Sequence, residues 1–244
     1  MVYEELYKLI REIKKEEPGE VVVVGFYGLP GSGKSFLNEG FSKYLSEKGI
    51  SALSIDGDIY TSTSREDRNK VFDYIRKLRS KGEDDPSWVG KAYRYNLDLM
   101  KKHIIKLKNK EGFNESGLCN PKTKNLNLSM GIQFVDSEIE FSFGDNKKRY
   151  SNDRVWLLID WAFLSTERLR DCFDIMIFVD SKFETRLKRV VEKGRNAKKP
   201  VLIEQRFFKD VDEYQSKEFG LDKEMADIIV NNNDFSDIKL TRQF

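Results

Sequence analysis

A single stretch near the N-terminus, GLPGSGKS at 28–35, constrains the fold of this 244-residue chain more than any other feature. It satisfies the pattern GxxxxGK[ST], with Lys34 and Ser35 at the last two positions. An unbroken apolar run at 21–24 precedes it, as expected of a buried parallel strand. Apolar residues at helical spacing follow it, namely Phe36, Leu37, Phe41 and Leu45. Strand, glycine-rich loop and helix therefore come in the order that a phosphate-binding loop requires.

The loop predicts a nucleotide site of the P-loop type. Its glycines let backbone N–H groups converge on a phosphate, and the helix N-terminus adds a partial positive charge. Lys34 is expected to reach the β- and γ-phosphates of ATP, and the Ser35 hydroxyl to bind the Mg²⁺ that bridges them. The alternative, a glycine-rich turn that binds nothing, rarely coincides with the full motif in its full context. The expected nucleotide-binding residues are Gly28, Gly31, Ser32, Gly33, Lys34, Ser35 and Phe36.

Composition narrows the classes of partner. The 43 Lys and Arg against 41 Asp and Glu give a net charge of +2, which creates no field that demands nucleic acid or an anionic membrane. Cys119 and Cys172, the only cysteines, are too far apart in sequence to suggest a disulfide framework. No apolar stretch approaches the roughly 20 residues of a membrane span, and the first ten residues lack the apolar centre of a signal peptide. We expect a cytoplasmic protein with a small-molecule partner, and the sequence leaves a homo-oligomer open.

Further apolar runs predict the rest of the sheet. They lie at 50–55, 155–159, 175–179 and 226–230. Together with 21–26 they predict about five strands separated by helices, which is an α/β P-loop NTPase fold with a doubly wound parallel sheet and helices on both faces. The length fits a single domain over 1–244.

Two of these runs end in carboxylates. The run at 50–55 is followed by Asp56 and Asp58, and the run at 155–159 by Asp160. The carboxyl ends of parallel strands face the ligand crevice, so these acids are expected beside the phosphate loop. Asp160 is expected to hold Mg²⁺ directly or through water.

Two other segments are expected to close the site. Between 112 and 154, abundant Asn, Lys, Ser and Gly with alternating apolar residues predict a β-arm or lid inserted between core elements. Its basic run at 147–149 is expected to be solvated. A lid helix at about 181–195 places three cations on one face, Arg186, Arg189 and Lys193. The only histidine, His103, lies beside a helical apolar stripe and is expected to be structural or solvent-facing.

Together these features resemble the uridine kinase and phosphoribulokinase family of P-loop kinases over most of the chain. The similar segments are 53–56 (LSID), 84–86 (DDP), 96–110, 173–190 (with RLKR), 193–195 (KGR), Gln205 and 226–230 (ADIIV). The resemblance implies that Asp56 takes the proton of the acceptor hydroxyl and that Asp84 touches sugar hydroxyls. It also implies that four lid residues clamp the phosphates or the acceptor, namely Arg186, Arg189, Lys193 and Arg195. Gln205 would line the acceptor pocket.

The chain departs from this family in two places. Asp160-Trp161 stands where uridine kinases have a Glu-Gly pair, and their base-binding segment is not recognisable at 118–128. The stretch 49–68, with DGD and EDR, also resembles adenylylsulfate kinase, which keeps Asp58 in contention as the base.

The expected function is therefore an ATP-dependent kinase that transfers the γ-phosphate to a hydroxyl. The catalytic residues are expected to be Lys34, Asp56, Asp58 and Arg189. We expect a pyrimidine nucleoside as the preferred acceptor and another ribosyl or sugar alcohol as the next choice. The Asp84 carboxylate suits neutral hydroxyls and would repel an anionic, sulfate-bearing substrate. The alternatives are an adenylylsulfate kinase-like enzyme, a nucleotide-driven switch and a nucleotide-binding protein without kinase activity. The chain contains no DxxG and no NKxD, which argues against a GTPase switch.

Overall fold

The strands that end at the glycine-rich loop and at the acids coincide with the apolar runs of the sequence. The computed structural model describes residues 2–120, 123–196, 204–218 and 223–243. Within these residues ten strands form: β1 (Val21–Tyr27), β2 (Ser51–Asp56), β3 (Phe113–Leu118), β4 (Leu128–Val135), β5 (Glu138–Phe143), β6 (Asn146–Ser151), β7 (Val155–Asp160), β8 (Ile175–Asp180), β9 (Ile228–Asn231) and β10 (Lys239–Arg242).

Six of the strands form one sheet in the order β10-β9-β8-β1-β7-β2. Five of them run parallel, and β10 is antiparallel to β9. The prediction of a mixed α/β fold with a mostly parallel sheet between helices is confirmed. No apolar run marks β10, whose residues 239–242 (KLTR) lie at the sheet edge with mostly exposed side chains. Edge strands need not be apolar on both faces, so sequence pattern does not reveal them.

Seven α-helices accompany the strands in the described residues: α1 (Val2–Ile13), α2 (Lys34–Glu47), α3 (Arg65–Ser80), α4 (Trp88–Ala92), α5 (Leu97–Lys108), α6 (Phe183–Asn196) and α7 (Gln205–Glu218). In these residues none of the helices combines the length and the apolar content that a bilayer span needs. The predicted lid helix corresponds to α6.

Strand β1 lies between two apolar cores. Its even-numbered residues share a cluster with Leu6 of α1 and Leu37 of α2. Its odd-numbered valines and Tyr27 share a cluster with Met100 and Ile104 of α5. Side chains alternate across a strand, so β1 must be apolar at every position rather than at every second one. This requirement explains the VVVV run and fixes the loop that follows it at the centre of the sheet.

The segment 112–154 contains a second, antiparallel sheet in the order β3-β4-β5-β6. Met130, Ile132 and Ile139 lie in the same apolar cluster as α5, so one face of this sheet packs on the domain. The basic run at 147–149 is exposed, as expected, but it lies within β6 and not in a turn. Closure of this sheet over a ligand stays a prediction.

His103 belongs to the core. Its side chain is only 1% exposed, its Nδ1 lies 3.1 Å from the Tyr60 hydroxyl, and its ring stacks on Phe113. Burial lowers the pKa of His103 to about 4, so the ring is neutral near pH 7. These contacts support a structural role.

A third apolar cluster joins α3, α4 and α7. The Trp88 ring meets Phe72 of α3 and Phe207 of α7 edge to face, at centroid distances of 5.6 and 5.3 Å. Its indole N–H donates to Asp210 of α7 at 3.2 Å. Helix α7 is thereby attached to α3 and α4.

Candidate functional site

The loop between β1 and α2 is held in shape by glycines that have no room for a side chain. Gly31 and Gly33 have φ of 78° and 100°, in the left-handed region. A Cβ on Gly31 would lie 2.6 Å from the Arg186 carbonyl oxygen, and one on Gly33 would lie 2.2 Å from the Asn232 amide nitrogen. The backbone of α6 and the segment after β9 therefore pack directly against the loop.

Lys34 folds back over this loop. Its Nζ donates to the carbonyl oxygens of Gly28 and Leu29 at 2.8 and 3.0 Å. Burial lowers its pKa to about 8, although the nearby Asp160 and Asp58 carboxylates favour the charged form. The Ser32 hydroxyl is fully buried and has no hydrogen-bond partner in the described part of the chain. A desolvated cation and an unsatisfied hydroxyl are suited to a phosphate group.

Asp160 is the centre of a hydrogen-bond chain. The Ser35 hydroxyl donates to its Oδ2 at 2.6 Å, and the Asn38 amide donates to its Oδ1 at 3.0 Å. The Ser54 hydroxyl in turn donates to Asn38 at 3.0 Å. Burial raises the pKa of Asp160, and the Ser35 hydrogen bond opposes the rise. The network fixes the carboxylate next to the residue at the start of α2.

Asp56 lies beside Asp160 because β2 and β7 are parallel and pair these two residues in register. Burial, together with the nearby charges of Asp58 and Asp160, raises the pKa of Asp56 to about 7. Its Oδ1 accepts the backbone N–H of Asp58 at 2.8 Å. The Asp58 carboxylate is 42% exposed and lies 3.4 Å from the Lys124 ammonium. The sheet thus brings together the three acids that the sequence singled out.

The oxygen atoms present fit a magnesium ion held mainly by phosphates and water. Ser35 Oγ and Asp160 Oδ2 are adjacent oxygen donors at the mouth of the loop, and Mg²⁺ prefers such ligands. Across the described ranges, no group of three or more His, Cys, Asp or Glu side chains is arranged to hold a metal. Mg²⁺ at nucleotide sites commonly needs only one or two protein ligands besides the substrate phosphates.

Helix α6 places Arg189 against the loop. One of its terminal nitrogens lies 3.2 Å from the Ser32 carbonyl oxygen and 3.1 Å from the Ser181 hydroxyl. Its guanidinium lies 4.0 Å above the centre of the Phe235 ring. Arg189 therefore connects α6, the loop and the segment after β9.

Arg186 has a different environment. It is 4% exposed, and it forms a two-pronged ion pair with Asp212 of α7 at 2.9 and 2.6 Å. It also donates to the carbonyl oxygens of Ser181 at 3.1 Å and Pro30 at 3.3 Å. A phosphate could use this guanidinium only if the pair with Asp212 opened. Lys193 lies exposed farther along α6, and the Arg195 side chain lies outside the described side chains.

The two residues expected to bind acceptor have no described contact with the acids. Asp84 accepts from Arg79 at 3.0 Å and from Arg206 at 2.8 Å, so two cations neutralise it between α3 and α7. Gln205 begins α7, is exposed, and lines a cleft with Leu187 of α6. In this conformation Asp84 links helices, and its role in reading sugar hydroxyls stays a prediction.

Two residues near the loop escaped sequence analysis. Asn232 donates its amide to the Ser32 carbonyl at 2.6 Å and thereby braces the loop. The Phe235 ring, 44% exposed, meets the 48% exposed Phe36 ring at a centroid distance of 4.4 Å. Exposed aromatic rings at the mouth of a phosphate loop suit a flat base. The signal would have been a lone phenylalanine in the Asn- and Asp-rich stretch after the last parallel strand.

Comparison with known proteins shows the fold. No protein-family model and no curated protein matches the chain. Among solved structures, D-glycerate 3-kinase from Cryptococcus neoformans aligns with a TM-score of 0.58 at 12% identity, over 100% of this chain and 99% of that chain. A candidate fructose transport system kinase from Silicibacter sp. TM1040 aligns with a TM-score of 0.56 at 15% identity, over 88% and 94%. Phosphoribulokinase from Rhodobacter spheroides aligns at 0.52 and 11%, over 87% and 70%. The chain therefore shares the fold of these three kinases.

Proposed function

We propose that this protein is an ATP-dependent small-molecule kinase that transfers the γ-phosphate of ATP to a hydroxyl group. One observation carries the proposal: the in-register pair Asp56 and Asp160 lies at the carboxyl edge of the sheet, and Ser35 at the start of α2 donates to Asp160. This arrangement supports a general base beside a phosphate-binding loop and a metal ligand. The shared fold supports the proposal, since all three similar structures are named as kinases.

Each group has a role in such a reaction. The loop N–H groups and Lys34 would bind the phosphates of ATP. Bound Mg²⁺, held by Ser35 and Asp160, would neutralise phosphate charge. Asp56, with a pKa of about 7, is suited to accept the proton of the acceptor hydroxyl near neutral pH. Phe36 and Phe235 would contact the base of the nucleotide.

The acceptor expected from the family resemblance is a pyrimidine nucleoside, followed by another ribosyl or sugar alcohol. That preference rested on the carboxylate of Asp84 facing hydroxyls, and Arg79 and Arg206 occupy this carboxylate here. The groups that surround Asp58 are therefore better placed to choose the acceptor.

Acceptor-dependent turnover tests the proposed function. We expect the purified chain with Mg·ATP to release ADP slowly alone and at least about tenfold faster with its acceptor, because a kinase suppresses transfer to water until the acceptor binds. ADP release would be measured with and without a panel of nucleosides, sugars, hydroxy acids and sugar phosphates. Rapid hydrolysis that no acceptor stimulates would contradict a kinase and favour an ATPase or a switch.

Arg189 is expected to act on transfer more than on binding. In Arg189→Ala we expect kcat to fall about ten- to a hundredfold with a smaller change in the Kd for ATP, because a cation at the loop gains most as charge develops on the transferred group. Steady-state kinetics and ATP titration would measure both. The exposed neighbour Lys188 provides the control, Lys188→Ala, which should behave like the unmodified chain. A large loss of ATP affinity with unchanged kcat would assign Arg189 to ground-state binding.

A further inference from the structure

The loop after β3 brings a lysine to Asp58. Lys124 lies 3.4 Å from the Asp58 carboxylate, and its own backbone has φ of 60°, an uncommon conformation for a residue with a side chain. Both backbone groups are used: its N–H donates to the Asn120 carbonyl at 2.7 Å, and its carbonyl accepts the Arg65 N–H at 2.9 Å. A strained position that is held from both sides often serves a site.

Arg68, on the first turn of α3, is a cation without a counter-charge. Its hydrogen bonds go to two neutral acceptors, the Thr63 carbonyl at 3.1 Å and the Cys119 sulfur at 3.7 Å. Its Nε is buried and has no partner, and it forms no salt bridge within the described residues. A partly buried guanidinium normally pairs with a carboxylate or a phosphate. The described residues supply no anion to Arg68, so its position suits an anion from a ligand.

Arg68 and Lys124 both lie near the buried Cys119, and Lys124 also contacts Asp58. Burial raises the pKa of the Cys119 thiol, and both cations lower it, so the thiol is within electrostatic reach of each. Burial also raises the pKa of Tyr93 to about 12. The charge of Arg68 lowers this pKa and that of Asp58 raises it, so both groups lie near the Tyr93 ring. The Arg68 guanidinium lies 5.7 Å from the centre of the Tyr93 ring.

The Trp161 ring lies close to the segment that follows Asp56, because a Cβ on Gly57 would lie 2.3 Å from this ring. The Trp161 ring, next in sequence to Asp160, meets Tyr95 edge to face at a centroid distance of 4.5 Å. The Trp161 indole N–H is buried and unpaired within the described residues. Two cations, the Asp58 carboxylate and an unpaired indole N–H therefore lie near the segment that follows the base candidate.

We propose that Arg68 and Lys124 select an acceptor that carries an anionic group, a carboxylate or a phosphate, in addition to the hydroxyl that receives the phosphoryl group. The inference rests on the proposed kinase function. The hydroxyl oxygen forms the new bond to the γ-phosphorus, the bond from that phosphorus to the β,γ-bridging oxygen breaks, and ADP leaves with the electron pair. The hydroxyl proton passes to Asp56. The anion pairs with Arg68 and competes with Asp58 for the Lys124 ammonium.

A neutral nucleoside would suit the cations Arg68 and Lys124 less well. Its base would leave the Arg68 guanidinium without a counter-charge, which is costly in a partly buried position. The purely structural alternative is that Arg68 merely stacks on Tyr93 and that Lys124 merely neutralises Asp58. This alternative predicts no difference between anionic and neutral ligands.

Binding of an anion can be tested without knowing the acceptor. With the phosphate loop saturated by ADP and Mg²⁺, the full chain would be titrated with inorganic phosphate, with acetate and with glycerol while thermal unfolding is followed. We expect at least one of the two anions to raise the Tm and glycerol to leave it unchanged at equal concentration. Arg68→Ala should weaken the apparent anion affinity about ten- to a hundredfold, the usual effect of losing a charged hydrogen bond. Lys124→Ala should weaken it less, and Lys70→Ala on the exposed side of α3 should not change it.

The two anions and the activity panel separate the outcomes. A response to phosphate alone assigns a phosphorylated acceptor, and a response to acetate assigns a carboxylic acid. Anion binding that is equal in the unmodified chain and Arg68→Ala, or absent from both, overturns the inference. Transfer to uridine or ribose with an unchanged KM in Arg68→Ala also overturns it while leaving the kinase proposal intact. If the kinase proposal itself is wrong, neither anionic nor neutral acceptors will stimulate the hydrolysis of ATP.

Discussion

Lys34→Ala is expected to remove nearly all phosphoryl transfer, by at least about 10³-fold in kcat, while the fold persists. The Lys34 ammonium would stabilise the negative charge that develops on the transferred phosphoryl group. Arg186 cannot replace it, because Asp212 holds the Arg186 guanidinium in an ion pair. The substitution also removes a cation whose pKa burial lowers to about 8, so the folded state loses a group that it partly disfavours. We expect the Tm to change little.

The measurement pairs initial rates with thermal unfolding. Lys43→Ala, at an exposed position of the same helix, is the control and should retain full activity. Transfer at a normal rate in Lys34→Ala would mean that 28–35 is not the phosphate site. A large fall in Tm would mean that the lost activity reflects misfolding and not lost charge stabilisation.

Asp56→Asn is expected to lower kcat by about 10² to 10⁴, the usual contribution of a positioned general base. The amide preserves the shape and can still accept the Asp58 N–H, so the affinity for Mg·ATP should remain near normal. In the unmodified chain kcat/KM should rise with pH up to about 7 and then level off, because Asp56 must be ionised to accept a proton. The variant should lose this rise. If Asp58→Asn shows the larger loss and Asp56→Asn does not, the two acids exchange roles.

Stability gives a second readout for the same residue that does not depend on catalysis. The pKa of Asp56 is raised in the folded chain, so the folded state holds a proton that the unfolded state has already released between about pH 4 and pH 7. Its contribution to stability is therefore present at low pH and is lost as the pH rises through this window. Without Mg²⁺ and nucleotide, the Tm of Asp56→Asn should exceed that of the unmodified chain more at pH 8 than at pH 4. An equal difference at both values would contradict the raised pKa.

The sequence pattern predicted the features that depend on local constraints, namely the buried strands and the residues at their ends. Strands buried on both faces require continuous apolar runs, and β1 and β7 show them. The carboxyl ends of the parallel strands β2 and β7 share one edge of the sheet, which is why the positions of Asp56 and Asp160 could be predicted.

Pairing across long distances could not be predicted in this way. Asp84 is neutralised by Arg206, 122 positions later in the chain. Arg186 is held by Asp212 on another helix. No spacing rule connects such residues, because their meeting depends on how α7 packs. The contact between Lys124 and Asp58 has the same origin, because it joins residues 66 positions apart and the sequence around Lys124 carries no recognisable motif.

The brace between Ser32 and Asn232 has a consequence for how the chain is made. These residues are 200 positions apart, yet the amide of one fixes the carbonyl of the other. During synthesis the N-terminal part emerges first, and domains form as units once their distant partners are available. Strand β1 and helix α2 leave the ribosome long before β9, so the loop between them waits for almost the whole chain before it acquires its last support. A nascent chain that ends before Asn232 has the nucleotide motif in its sequence but lacks the hydrogen bond that braces the Ser32 carbonyl.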